Sequence, residues 1–483
     1  MLNLRYPIFF LLVLLSVGIF RIALTYSVFN QTADEPLHIT RGMEWLQRGS
    51  YSHLHHPPLA PVFFGIGPFI DGVRIDWVGD KHIDGNQILY HNGDYFRNLT
   101  LSRLGALPFF LLASMVVWFW SRELFGKTTA ALSTLIFTTL PIVLGHSGLA
   151  TTDIAITATL TLTLYCFYRW LEERSLKWTA ALGFAAGLSI ISKFSALLFL
   201  PSCILSMVLL RWIVRMVNSS TTPSHPMGLL KSTGMSLLTA VLVVWAGYRF
   251  SLGTLANDCS LLYQHLVVLA EPYPLLGRIL DKLSDLRIIP AHELISGFFL
   301  ILAENTKGHA SYFLGRPRWS VGGTWLFFPV VFLIKSPIPF LILSAGGLGI
   351  LFKKVITEKD WRLMAPPVAA TAIFLIVLPS DINAGLRHIL PVFPLISIVA
   401  GFALNRLFSN IKYPRAASAL AVGLLLWHLS SGVICHPDYL AYFNGLAGRH
   451  PERIVVDSDI DWGQDLARLS KTLKEKNISE LSL

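Results

Sequence analysis

Residues 7–29 read PIFFLLVLLSVGIFRIALTYSVF, an apolar run that contains a single charged residue, Arg21. About 20 apolar residues are enough for a helix to cross the hydrocarbon core of a bilayer. The run is longer than the core of a signal peptide, and no small-residue cleavage site follows it. We therefore expect it to be a retained first transmembrane helix.

Further apolar runs of similar length recur along the chain. They lie near residues 104–120, 128–145, 154–171, 178–192, 195–212, 232–250, 326–352, 364–379, 385–404 and 416–434. Only 14% of the residues are charged, whereas soluble domains have about 25%. The sequence therefore predicts an all-α polytopic membrane protein with about eleven transmembrane helices.

The net charge of +10 comes from Lys and Arg residues in alternate short loops. Examples are Arg122 with Lys127, Arg174 with Lys177, and Arg406 with Lys412. The positive-inside rule places these loops in the cytoplasm. We expect a multi-pass protein of the cell (inner) membrane, with its N-terminus inside and its C-terminus on the outer, periplasmic side. The charge then needs no nucleic-acid partner.

Two units are predicted along the chain. Residues 1–434 form a transmembrane module with large outer loops at about 30–103 and 251–325, and residues 435–483 form a soluble segment on the outer face. Within that segment residues 453–457 (RIVVD) are typical of a strand and residues 465–476 of a helix, which predicts a small α/β cap.

Two features of the outer regions are less determined. Residues 294–303 are apolar but short for a span, which favours an interfacial helix. Cys259 and Cys435 both fall on the outer side, and a disulfide between them is left open.

The first outer loop opens with Thr32-Ala33-Asp34-Glu35-Pro36, two adjacent carboxylates directly after the first span. Pro36 suits the first turn of a helix, and the pattern of residues 37–48 predicts an amphipathic helix that lies on the membrane surface. Asp34 is either a helix cap or a catalytic carboxylate, and the local pattern allows both.

The same loop contains His53-Leu54-His55-His56-Pro57-Pro58. Three histidines so close together raise the alternative of a metal site, but no well-spaced carboxylate accompanies them. The two prolines make the segment stiff and extended. We therefore expect His55, His56 and Pro57 to line a site as a rigid loop.

A third acid and several cations also fall at outer ends of spans. Asp153 begins the fourth span, where it is either a cap or a site residue. Lys193 lies between the fifth and sixth spans, Lys335 within the eighth, and Arg387 with His388 at the start of the tenth. Snorkelling explains any one of these cations. Several together on one side indicate an anionic group held at the outer headgroup level.

This combination matches the transfer of a sugar from a polyprenyl phosphate. Cations stabilise the departing phosphate. A carboxylate near the anomeric carbon accepts the proton of the acceptor hydroxyl. A lipid carrier explains why such a site lies at a membrane surface.

The chain also resembles the GT-C superfamily of membrane glycosyltransferases. It is most similar to bacterial phospholipid carrier-dependent members related to protein O-mannosyltransferases and aminoarabinose transferase. The stretches that carry the resemblance are Asp34-Glu35, Thr151-Thr152-Asp153, Ser192-Lys193, residues 313–315 and 323–325, Lys335-Ser336-Pro337, Gly385-Leu386-Arg387-His388, Tyr439-Leu440-Ala441-Tyr442-Phe443-Asn444, Asp457-Ser458 and Asp461-Trp462-Gly463-Gln464-Asp465. The last stretch is the most specific. The tail ends sooner after it than is usual among such proteins, which leaves acceptor recognition by the tail open.

The resemblance implies an inverting transferase with Asp34 as its base, assisted by Glu35, and with Asp153 supporting the acceptor side. Lys193, Lys335, Arg387 and His388 would hold the carrier phosphate. It further implies a polyprenyl-phosphate sugar donor, an acceptor hydroxyl on a protein, lipid or glycan, and no cofactor, a divalent metal being the less favoured alternative.

Two other functions compete with this hypothesis. A transporter or flippase of a lipid-linked or anionic solute would explain cations at span ends, and it would require charged residues near mid-membrane and paired broken helices. A non-catalytic scaffold that retains the fold is the third alternative.

Overall fold

The computed structural model describes residues 7–52, 54–218, 226–270, 282–307, 310–318, 324–380 and 382–480. Its α-helices are α1 (Pro7–Ala23), α2 (Glu35–Gln47), α3 (Leu59–Ile70), α4 (Lys81–Leu89), α5 (Tyr95–Leu104), α6 (Leu107–Phe125), α7 (Lys127–Thr139), α8 (Pro141–Ser147), α9 (Thr152–Glu172) and α10 (Leu176–Ile190). The remaining helices are α11 (Ala196–Asn218), α12 (Leu229–Gly247), α13 (Ser260–Ala270), α14 (His292–Lys307), α15 (Phe327–Lys335), α16 (Ile338–Glu358), α17 (Ala365–Val377), α18 (Val392–Phe408), α19 (Pro414–Ile434) and α20 (Leu466–Glu475).

Sheet structure is minor in the described part of the chain. Strand β1 (Leu252–Gly253) pairs antiparallel with β2 (Ile289–Pro290), and β3 (Ser311–Phe313) pairs antiparallel with β4 (Arg316–Arg318). In the second pair Ser311 faces Arg318 and Phe313 faces Arg316. Both pairs lie in the predicted second outer loop, and the fold is otherwise a helical assembly.

Several helices are long and apolar enough to cross a membrane. Within the described residues there are six of them, namely the continuous segment Tyr95–Phe125 and helices α9, α11, α12, α16 and α19, and the bent pair α7–α8 makes a seventh. Shorter apolar helices are α1, α3, α10, α18 and the segment Trp361–Val377 that contains α17. The chain is therefore a multi-pass membrane protein. Each predicted apolar run contains one of these helices, and the count of eleven spans stays a prediction.

Prolines break two of the predicted runs. Within 128–145 the chain bends by 64° between α7 and α8, directly before Pro141. Within 326–352 the helix ends at Lys335 and restarts after Pro337. Proline lacks an N–H and its ring clashes with the preceding turn, so a helix ends or kinks there.

The first outer loop is more structured than its sequence predicts. Helix α2 is confirmed as a helix, but it is buried beneath other elements rather than lying on the membrane surface. It packs on α3, an apolar helix that was not predicted. A Cβ at Gly42 would lie 1.8 Å from the Pro61 carbonyl oxygen, and one at Gly65 would lie 2.7 Å from the Gly42 carbonyl carbon. The two glycines therefore allow backbone contact, which buries the polar face of α2 as well as its apolar face.

The predicted strand at residues 453–457 is wrong. Short 3-10 turns at Pro451–Arg453 and Asp457–Asp459 occupy this stretch, and Asp457 has a φ of 61°. A strand needs a neighbouring strand, but β3 and β4 pair with each other, and the contact recorded with this stretch is one hydrogen bond from Leu314 N, in the turn between them, to Ile454 O. The predicted helix at 465–476 is confirmed as α20. In residues 435–480 the tail is helical and irregular rather than α/β.

The tail packs against the membrane helices. Tyr439, Val455 and Trp462 are buried, and Arg21 of α1 donates a hydrogen bond to the Tyr439 hydroxyl at 3.1 Å. The predicted interfacial helix at 294–303 lies inside α14. All four cysteines belong to the described residues and are free thiols, so Cys259 and Cys435 are not joined.

Candidate functional site

Asp34 and Arg387 form the first ion pair of the site. Asp34 lies directly before α2, and Arg387 lies in a 3-10 turn before α18. Arg387 Nη1 donates to Asp34 Oδ2 at 2.9 Å, and the Asp34 side chain is 31% exposed. Asp34 makes no side-chain capping bond with α2. Burial raises the pKa of this carboxyl, but the Arg387 guanidinium outweighs burial and holds the pKa below its ordinary value. The carboxylate is therefore oriented by Arg387 and remains partly accessible.

Asp153 and Lys193 form the second ion pair. Asp153 lies in the first turn of α9, where the helix dipole favours an anion. Lys193, in the turn between α10 and α11, donates from Nζ to Asp153 Oδ1 at 2.7 Å. A bond between the hydroxyls of Thr159 and Ser192 at 3.1 Å holds this turn against α9. Asp153 is nearly inaccessible, so Lys193 offsets the desolvation cost of its charge.

The two ion pairs lie side by side. Arg387 interacts electrostatically with both Asp34 and Asp153, and Asp153 interacts with both Lys193 and Arg387. The structure thus brings together four residues that were predicted from distant parts of the sequence. The result is a cluster of two carboxylates and two cations in which Arg387 interacts with both carboxylates.

Glu35 has a different environment from its neighbour Asp34. It is fully buried and forms a bidentate ion pair with Arg103, with both N–O distances at 2.8 Å. Its oxygens also accept hydrogen bonds from the backbone N–H groups of Thr32 and Ala150. Both oxygens are therefore occupied, and Glu35 joins the first outer loop to the start of α9. Sequence reasoning missed Arg103, whose only signal was a lone cation beside the apolar run 104–120.

The predicted site-lining segment lies next to Lys193. Leu59 N donates to Ile191 O at 2.9 Å, which anchors the segment two residues from Lys193. His56 interacts electrostatically with Lys193 and Arg387, and burial lowers its pKa well below the ordinary value, so its ring is neutral. His55 Nε2 lies 3.1 Å from Glu304 Oε1 in α14.

Pro57, the third residue of the predicted site-lining segment, is buried. His53 of the predicted histidine cluster lies outside the described residues. Within the described ranges no three His, Cys, Asp or Glu side chains come together in a metal-binding arrangement.

Lys335 and His388 lie in surroundings that differ from the predicted phosphate site. Lys335 is buried, and its Nζ donates hydrogen bonds to the carbonyl oxygens of Leu440 and Asp459 in the tail. The His388 ring packs edge-on against Phe328, with the centroids 6.5 Å apart. The geometry of Lys335 favours a structural role in holding the tail, and phosphate contacts of either residue stay a prediction.

The Asp461-Trp462-Gly463-Gln464-Asp465 stretch packs directly on the segment that precedes Asp34. Ala33 N donates to Trp462 O at 2.9 Å, Asn30 N donates to Gln464 O at 3.1 Å, and the Asn30 side chain donates to Gly463 O at 2.7 Å. The Arg387 guanidinium lies over the Trp462 ring. The tail therefore positions both partners of the first ion pair.

Residues 384–386 form hydrogen bonds with Ser458 and Asp459 of the tail. The Ser458 hydroxyl donates to Ala384 O at 3.0 Å, and Leu386 N donates to Asp459 Oδ1 at 3.0 Å. Gly385 has a φ of +94°, and a Cβ there would lie 2.3 Å from Ser458 Oγ. Only glycine fits this position, which explains the glycine that precedes Leu386-Arg387.

Two buried residues of α2, His38 and Arg41, adjoin the site and were not predicted. The Arg41 Nη1 lies 3.4 Å from His38 Nδ1, and the Arg41 Nε has no hydrogen-bond partner among the described residues. Burial, with a smaller contribution from Arg41, lowers the pKa of His38 to about 3, so the ring is neutral. The amphipathic pattern of residues 37–48 accounts for polar residues outside the apolar face and so gave no reason to place these two in a buried site.

Comparison with known proteins gives one family match, which covers residues 98–245. That family is described as dolichyl-phosphate-mannose-protein mannosyltransferase. No curated protein sequence matches the chain.

Solved structures match over most of the chain. ArnT from Cupriavidus metallidurans, bound to undecaprenyl phosphate, matches with a TM-score of 0.53 at 14% identity, over 89% of this chain and 72% of that one. The oligosaccharyltransferase of Archaeoglobus fulgidus in its apo form matches with a TM-score of 0.56 at 14% identity, over 91% of this chain and 56% of that one. The archaeal oligosaccharyltransferase AglB from Archaeoglobus fulgidus, in complex with an inhibitory peptide and a dolichol-phosphate, matches with a TM-score of 0.54 at 12% identity, over 89% of this chain and 56% of that one.

The family match includes Asp153 and Lys193 and ends at residue 245, within α12. At such low identity the structural matches concern the fold. The chain has the fold of the GT-C membrane glycosyltransferases, as the resemblance implied.

Proposed function

We propose that the protein is an inverting glycosyltransferase that moves a hexosyl or pentosyl group from a polyprenyl-phosphate donor to an acceptor hydroxyl. The observation that carries the proposal is the pairing of a partly exposed carboxylate, Asp34, with a cation, Arg387, beside the second pair Asp153–Lys193. The structural similarity to ArnT with bound undecaprenyl phosphate and to AglB with bound dolichol-phosphate supports a lipid-phosphate carrier.

In the proposed reaction the acceptor oxygen attacks the anomeric carbon of the donor sugar. The new carbon–oxygen bond forms as the bond to the phosphate oxygen breaks, and the hydroxyl proton passes to Asp34. The carrier leaves as an anionic polyprenyl phosphate, so no strong general acid is required. Attack from the face opposite the leaving group inverts the anomeric configuration.

Arg387 has two roles in this scheme. In the free protein it holds the Asp34 carboxylate in its charged form. When the phosphate oxygens of the donor take hydrogen bonds from the guanidinium, Asp34 loses part of its counter-charge and its pKa rises. Donor binding would thereby strengthen the base when it is needed. Lys193, held by Asp153, supplies the second cation for the phosphate.

A transporter or flippase of a lipid-linked solute is the alternative, because the chain contains two broken helical segments, α7–α8 and α15–α16. The discriminating measurement is the transfer of labelled sugar from a synthetic polyprenyl-phosphate donor by the purified protein in detergent. A transporter would give no product.

The main test of the mechanism is Asp34→Asn, which keeps the size of the side chain and removes the base. We expect it to lower transfer by roughly 10²- to 10⁴-fold while membrane insertion and abundance remain unchanged. The matched control is Asp76→Asn, an exposed acid in the same outer loop, which should keep full activity. Full activity in the Asp34→Asn variant would remove this residue from the mechanism.

We further propose that the reaction takes place on the periplasmic face of the inner membrane and needs no metal. Cysteine labelling at exposed loop positions would test the orientation. Transfer that persists in excess chelator would agree with a metal-independent reaction, and loss of transfer restored by a divalent cation would contradict it.

A further inference from the structure

A large open cleft is lined in part by residues 30–33, the segment that precedes Asp34. Its volume is about 620 Å³, which is within the range of small-molecule sites. The irregular segment before Asp34 forms one wall, α4 and α5 form a second, and the start of α20 forms the third. No sequence pattern pointed to this cleft, since its walls come from three distant parts of the chain.

The side chains that line the cleft are aromatic, amide, hydroxyl or apolar groups, together with the imidazole of His82. Among the described lining residues none is Asp, Glu, Lys or Arg. Three aromatic rings form one side: Tyr90 and Tyr95 have their centroids 4.8 Å apart, and Tyr95 and Phe96 have theirs 5.1 Å apart. Tyr90 is 60% exposed although its ring is large and flat. Such rings offer flat apolar surfaces against which the C–H faces of a sugar can stack.

Neutral hydrogen-bonding groups lie beside the rings. Gln31 Nε2 donates to Asn86 Oδ1 at 3.0 Å, and Gln31 N donates to the Tyr95 hydroxyl at 2.8 Å. The Gln31 Oε1 and the Thr32 hydroxyl have no hydrogen-bond partner among the described residues, although both atoms are buried. Polar atoms removed from water are normally paired. The amide groups of Gln31 and Asn86 and the Tyr95 hydroxyl are the neutral hydrogen-bonding groups that line the cleft beside the rings.

The cleft adjoins the segment that carries the candidate catalytic residue Asp34. Ala33 and Pro36, which flank Asp34-Glu35 in the chain, both line it. Ala33 N is held by Trp462 O, and Gly463 lines the cleft directly after Trp462. A ligand in the cleft therefore ends beside the segment that carries Asp34.

The residues that line the cleft limit the chemical class of ligand that it can bind. An acceptor with phosphate or carboxylate groups would need Arg or Lys in the wall to offset the desolvation of its charge. One way to hold an extended peptide is to pair it with a free sheet edge, and the described walls of the cleft offer no such edge, because they consist of helices and an irregular segment. Aromatic rings, amides and hydroxyls fit a neutral sugar chain better than they fit an anionic acceptor or an extended peptide.

We infer that this cleft holds the acceptor and that the acceptor is a neutral glycan chain. The inference rests on the proposed transferase function, because it assigns the cleft to the hydroxyl-bearing substrate of that reaction. The tail contributes to acceptor recognition through Gly463, Leu466 and Ala467.

The test is photo-crosslinking from inside the cleft in cells that make the full-length protein. The change Tyr90→p-benzoylphenylalanine places a reactive group at an exposed ring that takes no part in the catalytic cluster. After illumination the protein is purified and the mass of each adduct is determined. The matched control is the same replacement at Trp325, which is 63% exposed and lies at the end of the second outer loop, on the same predicted side of the membrane but outside the cleft.

A saccharide adduct at position 90 and its absence at position 325 support the inference. A peptide adduct, a phospholipid adduct at both positions, or no adduct at position 90 overturns it. A phospholipid adduct would show instead that these rings belong to a headgroup-level aromatic belt. The crosslinking result can be distinguished from the transferase test. A glycan adduct together with a fully active Asp34→Asn variant would contradict only the proposed mechanism. An inactive Asp34→Asn variant without a glycan adduct would contradict only the assignment of the cleft.

A second test is kinetic and uses, as the acceptor substrate, the glycan that the crosslinking identifies. We expect Tyr90→Ala and Phe96→Ala each to raise the KM for the acceptor roughly two- to tenfold. Hydrolysis of the donor by water in the absence of acceptor should be unchanged, since neither ring contacts the cationic cluster. Equal loss of both activities would indicate a structural defect and contradict a binding role.

Discussion

The guanidinium of Arg387 stacks on the indole ring of Trp462, with Cζ 4.0 Å from the ring centroid. The same guanidinium donates to Asp34 at 2.9 Å and to the carbonyl of Ala384 at 3.0 Å. Trp462 is buried, and its backbone carbonyl holds Ala33. Trp462 therefore positions Arg387 through its ring and the segment that carries Asp34 through its backbone carbonyl.

Trp462→Leu should weaken donor use without unfolding the protein, because the Arg387 guanidinium loses its stacking surface. A cation–π contact of about 0.5–2 kcal/mol corresponds to a roughly two- to thirtyfold decrease in kcat/KM for the donor. Trp462→Phe should restore part of the loss. Trp178→Leu, which removes a comparable contact with Arg169, is the control and should leave kcat/KM unchanged. Equal effects at the two tryptophans would argue against a positioning role for Trp462.

The pH profile of the reaction should reveal the Asp34–Arg387 pair. Because Arg387 holds the pKa of Asp34 below its ordinary value, the base of the free protein stays ionised in neutral and mildly acidic solution. The acid limb of kcat/KM due to Asp34 therefore lies at low pH. In Arg387→Gln the raising effect of burial is no longer outweighed, so the limb should move to higher pH. Residual transfer measured across the pH range would check this, and an unmoved limb would contradict the pairing.

Glu35→Gln should destabilise the protein strongly. The change leaves the buried Arg103 guanidinium without its counter-charge, and breaking a buried ion pair costs about 3–5 kcal/mol. We expect a clear decrease in the free energy of unfolding in detergent. Glu358→Gln, which removes an exposed i,i+4 partner of Lys354, should cost no more than about 1 kcal/mol. A Glu35→Gln variant of unchanged stability but low activity would restore the predicted catalytic role of Glu35.

Lys335→Met should loosen the tail. Loss of the ammonium leaves the carbonyls of Leu440 and Asp459 without a donor, and each unsatisfied buried acceptor costs about 1–3 kcal/mol. Limited proteolysis should then cleave the tail faster than in the unchanged protein, with Lys471→Met as the exposed control. A variant whose tail remains protected while donor affinity falls would instead support the predicted phosphate contact of Lys335.

Part of the site could be read from the sequence because its chemistry is local. Asp34 follows an apolar run, Asp153 begins one, and Lys193 and Arg387 interrupt the boundaries of two others. Charged residues in such positions are costly unless they are paired, so their shared location predicted a common site. The structure joins these four residues.

Other parts depended on contacts that no local pattern reveals. The adjacent acids Asp34 and Glu35 look equivalent in the chain, yet one faces the site and the other is enclosed by Arg103. The periodicity of α2 indicated a surface helix, but the close approach of Gly42 and Gly65 places α3 over its polar face. The RIVVD stretch has the composition of a strand, but among the described residues no strand pairs with it, and it forms short turns instead.

The sequence by itself determined that the chain is a helical membrane protein with acids and cations at helix ends, because hydrophobic run length and charge placement act residue by residue against the bilayer. Only the tertiary structure decided which acid is accessible, which cation holds the tail and where a neutral cleft opens. Those choices depend on the free energy of burying particular charges and rings against segments far away in the chain, and that free energy is set by the packed neighbours rather than by the local order of residues.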